Sequence, residues 1–351
     1  MAEVRVGIIG AGGIARAVHI PRLKKVPEVK VVAVADVVED RAKRVAEEFD
    51  IPHVFRDYED LVGMDEVDAV VICTPNAFHA PSTLAALRAG KHVLCEKPPA
   101  MNAKEAEEMA RTAREAGKVL MYAFQMRFRP DLRLIKRAIE EGQLGEVYYG
   151  RAIYLRRSGA PGGWFTQKRL SGGGPLIDVG VHVLDAVWWL MGSPKPTAVS
   201  GVVYQKIAPR KVKLGGWRAA NLVEGREKEV VYDVEDFAVA LVRFDNGASL
   251  LLETSWILHL KNSQVSFDIF GTEGGAHSPP LEIYKDWNDV ELDITPRLSE
   301  ADAYQEEINH FIECIREGKE PIPNAEQGVT IMRIIDAIYE SSERGEEVRL
   351  D

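Results

Sequence analysis

The run Val4-Arg5-Val6-Gly7-Ile8-Ile9-Gly10-Ala11-Gly12-Gly13-Ile14-Ala15 decides the fold. Val4 to Ile9 is a short apolar run of the kind a buried parallel strand needs. It stops at Gly10-Ala11-Gly12-Gly13-Ile14-Ala15, the pattern G-x-G-x-x-A. In that pattern Gly10 permits the tight turn, Gly12 leaves room for a pyrophosphate against the backbone, and Ala15 lets the next helix pack close. The helix start then aims unpaired N–H groups at the phosphates. A helical stretch to about Lys25 and a second apolar run, Val29 to Ala35, complete a βαβ unit. The run ends at Asp36, where a carboxylate can accept hydrogen bonds from the adenosine ribose hydroxyls. The next residue is Val37, neither Arg nor Ser, so a 2′-phosphate would meet a carboxylate with no adjacent cation. The reading is NAD rather than NADP, with Arg41, one helical turn on, the counter-consideration. Gly10, Ala11, Gly12, Gly13, Ile14, Asp36 and Arg41 form the first part of the expected cofactor site.

The strand–helix alternation continues through residue 124. Val67 to Cys73 is a buried strand that Thr74-Pro75-Asn76 stops, and His79 follows at the start of a helix. His92 to Cys95 is the next strand, running into Glu96-Lys97-Pro98-Pro99. Asn102 is placed to cap a helix that Gly117 closes. Polar residues at the carboxyl ends of parallel strands sit where open α/β sheets bind ligands. Thr74, Pro75, Asn76, His79 and Glu96 therefore join the cofactor set. For His79, a helix-start histidine satisfied by its own surroundings is the competing reading. Residues 1–124 are expected to be a Rossmann domain with a doubly wound parallel sheet.

Composition narrows the remaining choices. The chain has 351 residues, 46% hydrophobic and 28% charged, enough for a packed core in two domains. No apolar run reaches the ~18 residues of a membrane span. The formal charge, 44 − 54 = −10, disfavours a polyanionic nucleic acid as partner. Cys73, Cys95 and Cys314 are widely separated, which argues against a disulfide framework and against a structural zinc site, and no metal is expected. With no charged-then-apolar leader ahead of Val4, a reducing cytoplasm is the expected compartment.

Residues 125–351 read differently, as an α+β domain for substrate binding and oligomerisation. Val147 to Leu155 is strand-like, and Ser158 to Gly174 is a glycine-rich loop carrying Trp164-Phe165. Pro175 to Met191 is helical. Phe237 to Phe244 and Ala248 to Trp256 flank Asp245-Asn246-Gly247, a strong hairpin signal. Leu241, Leu251, Trp256 and Phe267 are expected to share one apolar sheet face, to be covered by a second copy in a homodimer or homotetramer. Lys206, Arg210, Lys211, Lys213, Trp217 and Arg218 fall in a basic stretch, 205–230, read as a long loop. Arg127 follows the last strand of the first half and could reach the nicotinamide end, or could form a surface ion pair. Tyr154, Arg156 and Tyr304 are candidate partners for sugar hydroxyls.

The glycine turn, Thr74-Pro75-Asn76 with His79, Glu96-Lys97-Pro98, and Gly172-Gly173-Gly174-Pro175-Leu176-Ile177-Asp178-Val179-Gly180-Val181-His182, taken in this order, resemble the Gfo/Idh/MocA oxidoreductases. The resemblance continues from Tyr304 through Ser341 and fails only over about 202–235. It implies a C-terminal domain with a large open, mostly antiparallel sheet, and hydride transfer between a nicotinamide and a carbinol or carbonyl carbon of a sugar, polyol or glycoside. It also implies that Lys97, Asp178 and His182 line the reaction site and that Trp164 lies near the nicotinamide, as in some members, with loop packing the competing reading. Some relatives are nucleotide-binding sensors, and others use NAD transiently in lyase or hydrolase reactions. The chemistry needs a proton acceptor for the hydroxyl and a cation for the developing alkoxide. His182, whose reference pKa of ~6.5 lies near neutrality, is preferred as acceptor. Lys97 would then polarise the reacting oxygen, and the reverse assignment stays open on sequence.

Overall fold

A computed structural model describes residues 3–207 and 231–350. From residue 208 on, the basic stretch lies outside the described residues.

Six strands form the first sheet: β1 (Val4–Ile9), β2 (Val29–Ala35), β3 (His53–Phe55), β4 (Ala69–Ile72), β5 (His92–Glu96) and β6 (Leu120–Ala123). Their order is β3-β2-β1-β4-β5-β6, and every neighbouring pair is parallel. This doubly wound order reverses between β1 and β4, which places a crevice beyond their carboxyl ends. The strands are continuous apolar runs because helices cover both faces. Asn102 caps the helix Ala103–Ala116 by accepting from the Glu105 N–H, and Gly117 closes it at φ 62°. The glycine turn is forced at Gly10, where φ is 97° and a Cβ would lie 2.7 Å from the Cys73 carbonyl oxygen. The helix that follows is short: one wide π turn, Ala15–His19, and then one α turn, α1 (Ile20–Leu23).

The second sheet has nine strands: β7 (Val147–Leu155), β8 (Pro196–Tyr204), β9 (Phe237–Phe244), β10 (Ser249–Ser255), β11 (Gln264–Gly271), β12 (Gly275–Ser278), β13 (Glu282–Trp287), β14 (Val290–Ile294) and β15 (Val348–Arg349). Their order is β14-β13-β12-β11-β7-β10-β9-β8-β15. Among the described residues only the central β7–β10 pair of this sheet is parallel. Asn246-Gly247 makes the β9–β10 turn, with Gly247 at φ 85°. The register corrects the expected apolar face. Leu241 pairs with Leu251 on the half-exposed side, while Ala240, Val242, Leu250, Leu252 and Phe267 are buried. That buried face is covered by α2 (Val181–Leu190) and by α4 (Ala325–Arg344). Trp256, just past β10, is wholly buried.

Between these helices in sequence order comes α3 (Ala303–Glu317). It returns to the first sheet, where Ile308, Phe311 and Ile312 join the core that contains Val6 and Ile8. Its apolar stripe thereby carries Tyr304, at its first turn, to the crevice above β1 and β4. Among the described residues no helix is long and apolar enough to cross a membrane.

Candidate active site

One cavity of about 990 Å³ runs from the glycine turn to the substrate-side loops. Gly10, Gly12, Gly13 and Ile14 line one end with Asp36 and Arg41; Lys97, Asp178 and His182 line the other, with Trp164, Tyr154, Arg156 and Tyr304. Thr74, Pro75, Asn76 and Glu96 lie along the wall between.

At the glycine end, Asp36 organises the turn. Its Oδ2 accepts from the Ala11 N–H at 2.9 Å, its Oδ1 accepts from the Val38 N–H at 2.8 Å, and Arg41 Nη1 lies 3.2 Å from Oδ2. Asp36 therefore fixes the phosphate turn as well as facing the cavity. Nothing lies within 4 Å of where a Gly12 Cβ would be, so the backbone there is open to a ligand. Thr74 Oγ1, on the same wall, is buried without a partner among the described residues. An open glycine backbone, a buried hydroxyl and a carboxylate at the ribose position fit a dinucleotide. Arg56, Asp57, Tyr58 and Asp60 also line this end, from the segment after β3. Sequence reading missed them because the adenine wall carries no fixed motif.

At the other end, Lys97 follows β5. Its Nζ donates to the Asp178 carbonyl oxygen at 2.8 Å and to Asp178 Oδ1 at 3.0 Å. Asp178 Oδ2 accepts from Trp256 Nε1–H at 2.9 Å. Both carboxylate oxygens are thus engaged, and neither reaches His182 within hydrogen-bond distance. Trp256 went unrecognised as a site residue because it reads as a strand-end core residue. Two of the three Nζ protons of Lys97 have acceptors, which leaves one for the cavity. His182 lies one turn beyond Asp178, edge-on to Phe124 at 6.3 Å between ring centroids. Burial, then the charges of Lys97 and Arg156, hold its imidazole well below the usual histidine range. It is neutral at pH 7, with a lone pair able to take a proton.

Glu96 braces this end from below. Its Oε1 accepts from His19 Nε2 at 2.7 Å, and its Oε2 accepts from the Lys97 N–H at 3.1 Å. Asn76 lines the wall and also donates from Nδ2 to the Ser171 carbonyl at 2.7 Å, tying the two lobes together. Trp164 stacks on Phe165 at 3.8 Å to make an aromatic wall. Arg156 Nη1 donates to the Gly159 carbonyl at 3.1 Å, and its guanidinium lies 5.2 Å from the Tyr154 ring. Tyr304 accepts from Gln125 Nε2 at 3.2 Å, and its ring packs on Arg22.

Three expected contacts do not line the cavity: His79, Arg127, and Ala11, whose N–H is taken by Asp36. His79 is wholly buried behind it, its ring nitrogens 2.7 Å from the Pro98 carbonyl and 3.0 Å from the Thr74 carbonyl. It holds the two wall segments in place, the competing reading of that residue. Arg127 is buried at 1% exposure and makes a two-pronged ion pair with Asp185 at 2.7 and 2.9 Å, with Gln327 as a third partner. Three of its N–H groups are bonded inside the protein, to Asp185 on α2 and Gln327 on α4, and it ties those helices together away from the cavity.

The comparisons agree with this geometry. Residues 4–124 match the family model described as "Oxidoreductase family, NAD-binding Rossmann fold". Residues 136–350 match its companion, "Oxidoreductase family, C-terminal alpha/beta domain". The chain is 38% identical over 352 residues to D-glucoside 3-dehydrogenase of Escherichia coli, covering 99% of this chain and 97% of that protein. It is 30% identical over 381 residues to levoglucosan dehydrogenase of Pseudarthrobacter phenanthrenivorans, covering 97% of each. A solved structure of levoglucosan dehydrogenase in complex with NADH and L-sorbose superposes with a TM-score of 0.87 at 27% identity, covering 100% of both chains. Fold, glycine turn and family models therefore agree that this chain belongs to the Gfo/Idh/MocA oxidoreductase family.

Proposed function

We propose that the protein is an NAD(H)-dependent dehydrogenase of a secondary alcohol on a glycoside, sugar or polyol, with a D-glucoside the first substrate to try. The observation that carries this reading is the meeting of Lys97, Asp178 and His182 at one end of a cavity whose other end is the glycine turn. The likeness to the E. coli glucoside enzyme supports the substrate class.

In this reading residues 1–124 hold the dinucleotide and residues 125–351 shape the substrate pocket. NAD is favoured over NADP because the Asp36 carboxylate would face a 2′-phosphate and Arg41 is already drawn onto that carboxylate. A bound nicotinamide supplies the two-electron acceptor. The chain's own residues do the rest. Neutral His182 takes the hydroxyl proton, and the remaining Lys97 N–H faces the oxygen on which negative charge grows. Asp178 balances the Lys97 charge and aims its ammonium, and Trp256 keeps that carboxylate from turning. Tyr154, Arg156 and Tyr304 offer donors to the other hydroxyls, and the Trp164–Phe165 wall packs against the apolar side of the sugar. We further propose that the half-exposed sheet face bearing Leu241 and Leu251 is covered by a second copy of the chain, and that the protein works in the cytoplasm.

The test is reduced-nicotinamide absorbance on incubating the protein and NAD⁺ with methyl glucosides, free hexoses and inositols. Turnover with at least one of them is expected. Tight NADH binding with no turnover across the panel would instead favour a nucleotide-binding sensor. Product formation without net NAD reduction would favour a lyase or hydrolase with transient redox.

A further inference from the structure

The glycine run before Asp178 has no side chains to hold it. Residues 231–236 supply the restraint from outside. Thr166 Oγ1 donates to the Val231 carbonyl at 2.7 Å, the Asp233 N–H donates to the Thr166 carbonyl at 3.1 Å, and the Lys168 N–H donates to Asp233 Oδ1 at 2.6 Å. These contacts secure the part of the loop that carries Trp164. At the end of the segment Glu235, 6% exposed, grips the turn itself. Its Oε2 accepts from the Gly174 N–H at 2.8 Å, and its Oε1 accepts from the Leu176 N–H at 3.1 Å and from the Tyr339 hydroxyl at 3.0 Å.

The fit leaves no room for side chains. A Cβ on Gly174 would sit 2.2 Å from the Glu235 carbonyl oxygen, and one on Gly173 would sit 1.9 Å from the Tyr339 hydroxyl oxygen. The same turn is bonded to the reaction site, because the Asp178 N–H donates to the Gly174 carbonyl at 3.0 Å. Gly174 is therefore held at its nitrogen by Glu235 and holds Asp178 through its oxygen. Asp178 in turn meets Lys97 and Trp256, and His182 lies one helical turn further on.

We propose that Glu235 is a positioning residue for the reaction: through Gly174 it sets where Asp178 presents its carboxylate to Lys97, and Tyr339 keeps Glu235 in place from α4. This rests on Lys97, Asp178 and His182 being the reacting set. Removing the carboxylate takes from the Gly174 and Leu176 N–H groups the side-chain acceptor that fixes the turn between the bonds at Gly172 and Asp178. An error well under 1 Å at Asp178 carries to Lys97, where the reaction is sensitive to position.

The test compares wild type, E235Q, Y339F and K97A in NAD⁺ reduction with methyl β-D-glucopyranoside or myo-inositol, whichever the wild type oxidises faster, well below each melting temperature. NADH affinity is measured in parallel by fluorescence titration. E235Q places a donor against the Gly174 N–H and should lower kcat at least about tenfold, with KM and the NADH Kd within about twofold. Y339F removes one of three bonds and should lower kcat about threefold. A residue that only stabilises the fold would lower the melting temperature and leave kcat at that temperature unchanged. Wild-type kcat in E235Q beside an inactive K97A overturns the role of Glu235 and leaves the proposed function standing. Wild-type turnover in K97A overturns the reacting set and this inference with it, whereas no turnover by the wild type across the panel overturns the proposed function. If E235Q does not fold, Y339F decides: a kcat loss with unchanged NADH affinity supports the role, and a wild-type kcat overturns it.

Discussion

Lys97 and Asp178 come from different lobes, one after β5 of the parallel sheet and the other at the entry to α2, and they meet with Nζ 3.0 Å from Oδ1. The pair lines the end of the cavity away from the glycine turn. Its geometry is set by Trp256, whose indole N–H fills the other carboxylate oxygen. A hydrogen bond to a charged group contributes about 1.5–3 kcal/mol. Trp256→Phe is therefore expected to lower kcat by roughly tenfold or more while NADH affinity holds. Steady-state kinetics beside NADH fluorescence titration check this.

As the proposed proton acceptor, His182 sets the expected pH dependence. Burial and two neighbouring cations hold its pKa well below the ordinary ~6.5. The neutral base thus persists at neutral pH, and kcat for alcohol oxidation should fall only on the acid side, below ~6.5. Arg156→Gln removes one cation and should move that limb to higher pH, which a kcat–pH profile detects. The same shift bears on stability. In the unfolded chain the histidine protonates as pH drops through ~6.5, while in the folded chain it does not, so the unfolded state binds more protons there and stability is lost as pH falls. His79, also buried and lowered, adds to this loss.

Arg127 and Asp185 are both fully buried at their side chains. Arg127→Leu leaves the Asp185 carboxylate without its cation and should cost about 3–5 kcal/mol of stability. Converting both residues to apolar ones should recover most of that loss. Urea unfolding measures both variants. NADH affinity of the single variant should match wild type, since Arg127 does not line the cavity.

Asp36 accepts from the Ala11 N–H and also lines the cavity, where the proposed reading puts the ribose. Asp36→Ala removes both contacts, so the NAD⁺ Kd should rise by about tenfold or more. The proposed preference for NAD⁺ over NADP⁺ should narrow, because the Asp36 carboxylate no longer stands beside Arg41. Binding titrations with both dinucleotides read this out.

Much of the site was legible in the sequence, and physics explains which parts. Gly10 is readable because no residue with a Cβ fits against the Cys73 carbonyl. The parallel, doubly wound character of the first sheet follows from apolar runs alternating with helices. Lys97, Asp178 and His182 stood out through a family pattern of fixed spacing. Contacts made across long separations had no such signal. Trp256 to Asp178 spans 78 residues, and Glu235 to Gly174 spans 61. Arg127 and His79 misled as cavity contacts because a charged or polar residue at a strand end looks the same whether it faces a ligand or a buried partner. The sheet face misled for another reason: Leu241 and Phe267 lie on different strands, and only the pairing register tells which side each presents.

The most direct measurement is turnover by Lys97→Ala beside wild type, with NAD⁺ and the glucoside and polyol panel, after NADH titration of both. The account predicts wild-type-like NADH binding in the variant and loss of nearly all nicotinamide reduction. A variant that binds NADH and reduces NAD⁺ at the wild-type rate would contradict it.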